Sequence, residues 1–229
     1  MTEKEKMIAG KVYNSHDSEL VAALNKSKSL CRQYNNLDFS NVAARKVIID
    51  ELLQEEHNDG YCVFTPPFWC DYGFNVKVGK NFYSNHNLVI LDCAEVTFGD
   101  NVFVGPNCGF YTAIHPIDAH QRNTGIELAK PIKVGSDVWF GGGVTVLPGV
   151  TIGDNVVIGA GSVVLKEVPP NCTVVGIPGT IVKRNGKSTT QDLNQVDLPD
   201  PVMNDIDELK TENDELKERI IQLEDKLNE

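Results

Sequence analysis

From Val134 onward an aliphatic or aromatic residue returns every six positions: Val134, Phe140, Val146, Ile152, Ile158 and Val164. Glycine often follows it, as Gly135, Gly141, Gly153 and Gly159. The fourth position after it is Val138, Val144, Val150, Val156, Ser162 or Val168, small or β-branched throughout. Neither the 3.6-residue period of a helix nor the alternation of a strand produces this grid. A fixed six-residue period points to a solenoid. Each unit forms one face of a triangular coil, with the aliphatic residue inward and the glycine relaxing the corner. Stacked coils then bury a continuous core that no single unit could form. The same grid stands upstream at Phe98, Val104 and Phe110, with Gly99 and Gly105 following, and more weakly at Val78 with Gly79.

Between Phe110 and Val134 three further units would fit. Residues 112–130 read instead TAIHPIDAHQRNTGIELAK, with two histidines and little inward pattern. A coil has no need of such an insertion, and functional groups concentrate on loops carried by a rigid scaffold. Ahead of the coils, residues 1–60 read as a helical segment. Val42, Val47, Ile48, Leu52 and Leu53 lie near one helical face behind a cap at Ser40 or Asn41. Leu20, Val21, Leu24, Leu30 and Tyr34 form a looser stripe before it.

Composition narrows the function classes. With 229 residues, 41% hydrophobic and 23% charged, the chain is of ordinary globular make-up and long enough for a real core. No run approaches 18 uninterrupted apolar residues, and Met1–Gly10 lacks the apolar stretch of a secretory signal. The six cysteines contain no Cys-x-x-Cys pair, which favours reduced thiols in a cytoplasm. A net charge of −11 disfavours a nucleic-acid partner. Residues 200–229 carry −7 of that charge and a second pattern. Val202, Ile206, Leu209, Asn213, Leu216, Ile220, Leu223 and Leu227 step by four and three, a heptad grid with a polar Asn213 at one a position. The expected organisation is a helical segment 1–60, coils 61–185, a linker 186–204 and a helix 205–229. That helix is either a coiled coil or a single amphipathic helix.

The segments EKEKMIAGKVY (Glu3–Tyr13), CDYGFNVKVGKNFYSNHNL (Cys70–Leu88), HPID (His115–Asp118) and GVTIGDNVVIGAGSVVLKEVPPN (Gly149–Asn171) resemble the maltose and galactoside O-acetyltransferases. The similarity covers roughly residues 3–183. It implies a mainly β protein, a left-handed parallel β-helix whose N-terminal helical segment contributes to the acceptor site. The left hand departs from the usual right-handed crossover. It further implies a cytoplasmic homotrimer, sites between neighbouring coils, acetyl-coenzyme A as co-substrate and no metal. The acidic helices would either pair between trimers to give a hexamer or pack as single helices.

Acetyl transfer from a thioester to a hydroxyl needs a base as the hydroxyl attacks, and histidine titrates near neutrality. The resemblance assigns that role to His115. It implies that Asn85 orients the acceptor and donates to the developing oxyanion, which an amide does without changing its protonation state. Asp17, Asp71, Asp92 and Cys93 fall in the implied acceptor site, although Asp17 equally suits a helix cap. Cys93 stands where galactoside enzymes carry aspartate, which favours the maltose-like branch. Glu127 either orients His115 or is a solvated loop charge. The coenzyme arm would pass Trp139, Gly142, Ala160, Leu165 and Lys166 and end at Thr180 and Lys183. Galactoside enzymes have arginine where Thr180 stands, and Trp139 as plain packing is the alternative.

Two other readings compete. DLNQVDLPDPV (Asp192–Val202) resembles the end of some bacterial serine acetyltransferases, which keeps serine as an acceptor. His86, His115 and His120 would supply the imidazoles of a zinc lyase built on the same solenoid.

Overall fold

The computed structural model describes residues 1–55 and 60–189 and, further on, 209–213, 216, 217 and 219. Met1–Thr189 forms one compact unit. Three parallel sheets wind through it as the faces of a solenoid. The first sheet stacks Cys62–Phe64, Phe82–Ser84, Phe103–Val104, Trp139–Phe140, Val157–Ile158 and Cys172–Val175. The second stacks Phe68–Cys70, Leu88–Leu91, Gly109–Tyr111, Thr145–Val146 and Val163–Val164. The third stacks Val76–Val78, Val96–Phe98, Ile132–Val134 and Thr151–Ile152, and an isolated bridge from Ile152 to Val168 continues it.

The grid residues point inward as their spacing predicts. Phe140 lies opposite Val104 and Ile158, Phe110 opposite Ile90 and Val146, and all six are buried. The fourth position of each hexad is inward too: Val138, Val144, Val150, Val156, Ser162 and Val168 are all buried. Two inward positions flank one outward position because side chains alternate along a strand. Aromatic rings form a column through the coils, with centroids 4.9 Å apart for Phe64–Phe82, 5.1 Å for Phe82–Phe98, 5.0 Å for Phe98–Phe110 and 5.1 Å for Phe110–Phe140.

The grid glycines act differently from the expectation. Gly99, Gly135, Gly141 and Gly153 do not have positive φ. A Cβ on Gly141 would instead lie 2.5 Å from the backbone nitrogen of Ala160, and one on Gly99 2.7 Å from the carbonyl carbon of Gly135. Close approach of successive coils excludes a side chain there. The left-handed turns fall two residues later, at Asn101, Asp137 and Asn155, residue types that tolerate that conformation.

Three helices precede the coils: α1 (Glu3–Ile8), α2 (Ser18–Asn36) and α3 (Val42–Leu53). A Thr2–Glu5 capping box starts α1, and Asn41 caps α3 by accepting the Ala44 N–H at 3.2 Å. The buried face of α3 is Arg45, Ile49, Leu52 and Leu53, while Val42 and Val47 face solvent, which corrects the predicted stripe. Between α1 and α2 the strand Tyr13–Asn14 interrupts the helical reading.

After the last coil, Thr180–Arg184 turns back antiparallel on Cys172–Val175 and is followed by Lys187–Ser188. Among the described residues no helix is long and apolar enough to cross a membrane. All six cysteines are free. Thr190–Glu229 is a second unit, in which residues 209–213 are helical and Leu209 and Leu216 are exposed. Residues 190–204 and the heptad positions Val202, Ile206, Ile220, Leu223 and Leu227 lie outside the described residues.

Candidate active site

The coil breaks its own period at one corner. From the inward residue that ends a second-sheet strand to its counterpart on the third sheet is six residues in the regular coil, Val146 to Ile152. In the first two coils the same step takes eight, Cys70 to Val78 and Ile90 to Phe98, and in the third it holds the insertion. The insertion therefore replaces no coil. It is a hairpin on one corner, with Ala113–Ile114 antiparallel to Ile126–Ala129 and α4 (Ala119–Arg122) between them. The N-terminal strand Tyr13–Asn14 pairs with its outer edge, Tyr13 opposite Glu127.

Three irregular corners thus stack, and polar groups gather on them. His115 follows the first hairpin strand with its side chain 59% exposed, its Nδ1 3.8 Å from Oε1 of Glu127. That contact is an ion-pair distance, longer than a hydrogen bond. The hydroxyl of Tyr13, itself buried, donates to Oε2 of Glu127 at 2.7 Å. Burial raises the Tyr13 hydroxyl, and the neighbouring Cys93 and Glu127 add to the rise. Burial pushes the Cys93 thiol up to about 12, against its polar contact with the Tyr13 hydroxyl and with Asp71, Glu127 and Asp92 adding to the rise. Asp71 is half-buried and ion-paired to Lys28 Nζ at 2.8 Å.

Asp92 lies beneath this surface, fully buried. Its Oδ1 accepts the N–H groups of Asp71 at 2.9 Å and Tyr72 at 2.8 Å, and its Oδ2 that of Asn75 at 3.4 Å. It holds the corner from within and does not face an acceptor. Burial raises its carboxyl to about 6, although the backbone donors oppose the rise. Asp17 caps α2, its Oδ1 accepting the Glu19 N–H at 3.0 Å, and remains half-buried beside the hairpin's partner strand.

Asn85 is elsewhere. It follows a first-sheet strand, on the corner leading to the second sheet, and its Oδ1 accepts the His86 N–H at 2.7 Å. Gly142 and Ala160 occupy the same corner in later coils, and Trp139 stands on the adjoining outer face of the first sheet, 57% exposed. Asn85, Trp139 and Gly142 line one cleft of about 510 Å³ with Tyr83, Phe103 and Pro106. Thr180 and Lys183 lie on the strand that extends this sheet. Leu165 and Lys166, both exposed, fall back on the irregular corner, after the strand Val163–Val164.

The predicted site residues therefore split into two groups on two corners: Asp17, Asp71, Cys93, His115, Glu127, Leu165 and Lys166 on one, Asn85, Trp139, Gly142, Ala160, Thr180 and Lys183 on or beside the other. Among the described residues no group of three His, Cys, Asp or Glu side chains is placed to hold a metal ion.

Residues 6–56 match the maltose acetyltransferase hexapeptide capping motif and residues 131–166 the bacterial transferase hexapeptide of six repeats. A maltose O-acetyltransferase from Clostridium difficile 630 is 45% identical, covering 80% of this chain and 97% of its own, with a TM-score of 0.72. Nodulation protein L of Rhizobium meliloti is 45% identical over 79% of this chain and 97% of its own. The chain belongs to the maltose- and galactoside-type hexapeptide-repeat acetyltransferases. A galactoside acetyltransferase solved in complex with coenzyme A is 36% identical, covers 80% of this chain and 91% of its own, and superposes with a TM-score of 0.74.

Several residues on these two corners escaped the sequence reading. Lys28 and Tyr13 reach the irregular corner from the helical segment, on Asp71 and Glu127, and no spacing within the hexads announces them. Tyr83 and Phe103 were within reach of the grid. They sit one residue before inward positions, in direct register with Trp139, so the outward position of the first face is aromatic in three successive coils.

Proposed function

We propose that the protein moves an acetyl group from acetyl-coenzyme A to a hydroxyl of a glucose- or maltose-like sugar, as a cytoplasmic homotrimer. The observation that carries this reading is the division of the site between two corners. His115 with its carboxylate neighbour stands on one corner, and the aromatic cleft that begins at Asn85 runs along another. In a cyclic trimer each interface is heterologous, one chain's first patch meeting its neighbour's second. His115 of one chain then faces Asn85 and Trp139 of the next.

In that arrangement His115 takes the proton of the sugar hydroxyl as its oxygen attacks the thioester carbonyl. The Asn85 amide donates to the oxygen on which negative charge develops. As the carbon–sulfur bond breaks, the imidazolium returns its proton to the departing sulfur. Nδ1 of His115 faces Glu127, so the opposite ring nitrogen, Nε2, is the basic atom. Asp71 and Asp17 contribute carboxylate acceptors for sugar hydroxyls. Lys166 and Lys183 supply cations for the coenzyme's phosphates in an otherwise acidic chain. The complexes of the galactoside acetyltransferase with coenzyme A and of a Vibrio cholerae hexapeptide-repeat acetyltransferase with acetyl-coenzyme A support this donor.

The test is a panel of glucose, maltose, a galactoside and serine, each assayed with acetyl-coenzyme A. Acetylation of glucose or maltose is expected. Turnover of serine alone would replace the sugar reading with a serine acetyltransferase.

A further inference from the structure

We infer that Tyr13 is a positioning residue for the catalytic base, holding Glu127 so that Glu127 holds His115; this rests on the reading of His115 given above. Tyr13 is 1% exposed, and a buried phenol requires a partner for its hydroxyl. It has one in Oε2 of Glu127, at 2.7 Å. The other oxygen of the same carboxylate faces Nδ1 of His115. A carboxylate fixed at one oxygen by a buried donor cannot rotate freely, so the direction of the second oxygen is set as well.

The backbone enforces the pairing. Tyr13 lies directly opposite Glu127 in the antiparallel ladder, and the hairpin's inner strand pairs Ala113 with Ala129 and Ile114 with Leu128, one residue before His115. The chain on either side of Tyr13 is tied down too. The Asn14 N–H donates to Glu3 Oε2 at 2.6 Å, and the Ser15 N–H and hydroxyl both donate to the Gly125 carbonyl at 3.0 Å. A phenylalanine would fill the same buried space. What it would lack is the donor.

The consequence for the base follows from imidazole chemistry. A fixed negative charge beside Nδ1 favours the ring proton on that nitrogen and the lone pair on Nε2, which is the form that accepts a proton. The same carboxylate stabilises the imidazolium formed as the acceptor attacks. The N-terminal segment therefore does more than cap the first coil.

The experiment compares full-length wild type with Tyr13→Phe, Glu127→Gln and the double variant, using whichever panel sugar is acetylated. Tyr13→Phe should lower kcat about tenfold, the scale of a hydrogen bond to a charged group, and leave KM for acetyl-coenzyme A unchanged. Nitrogen-15 NMR of the His115 ring should show the Nδ1-protonated form giving way to a mixture. In the Glu127→Gln background the tyrosine change should add nothing further, since Tyr13 acts through Glu127. Wild-type kcat and ring signals in Tyr13→Phe would overturn the proposal, as would losses that multiply in the double variant. If Tyr13→Phe does not fold, Glu127→Gln alone must show both the kcat loss and the tautomer change, and wild-type values there overturn it equally. His115→Ala, assayed alongside, separates the cases: full turnover in it removes the base itself, whatever the tyrosine variants do.

Discussion

His115 combines an exposed ring with one nitrogen turned to a half-buried carboxylate on the irregular corner. Replacing it with alanine should cut acetyl transfer by about 10²–10⁴, the usual contribution of one general base. Acetyl-coenzyme A should still bind, by calorimetry, because the aromatic cleft lies on another corner. Turnover near wild type in the folded variant would take His115 out of the mechanism. The placing of His115 on an insertion outside the coil was legible from the sequence, because the segment breaks the six-residue grid. Glu127 was legible only as one of two readings, since its partner Tyr13 lies 114 residues earlier and meets it through strand pairing.

The corner is the element on which the site is built, and Asp92 shows how its sequence departs from the grid. Its carboxylate gathers the N–H groups of Asp71, Tyr72 and Asn75 around one buried side chain, which holds the longer step in place. The sequence places Asp92 beside Cys93 in an acceptor site. Only the fold shows that one faces inward beneath the surface and the other touches Tyr13. Burial raises the Asp92 carboxyl from 3.8 to about 6 in the folded protein. A carboxyl raised on folding favours the protonated native state, so the stability it confers is full below about pH 4 and is lost as the pH rises through about 6. Denaturant unfolding of wild type and Asp92→Asn across that window should show the wild-type advantage shrinking by about 3 kcal/mol. A difference that stays constant would mean the carboxyl titrates as an ordinary one. The regular coils, by contrast, were readable residue by residue, because each hexad repeats the same inward positions. The eight-residue steps weaken the grid in the first two coils, which the sequence shows only at Val78 and Phe98, because they shift its register at this corner.

At the scale of the molecule, the division of the site between two corners makes a prediction that does not depend on which sugar is acetylated. A chain carrying His115→Ala retains an intact Asn85 corner, and a chain carrying Asn85→Ala retains an intact His115 corner. Each variant alone should be nearly inactive, the second because one lost oxyanion donor costs about 10²–10³ in rate. If a catalytic site forms only where one chain's irregular corner meets a neighbour's cleft, mixed assemblies contain interfaces in which both halves are wild type. Random assortment of equal amounts in a cyclic ring places intact halves together at about a quarter of the interfaces. Co-refolding the two variants should therefore restore about a quarter of wild-type activity, whereas mixing them without dissociation should restore none. Recovery that never exceeds the summed residual rates would show that His115 and Asn85 serve the same chain or no common site, and the trimeric reading would fall with it.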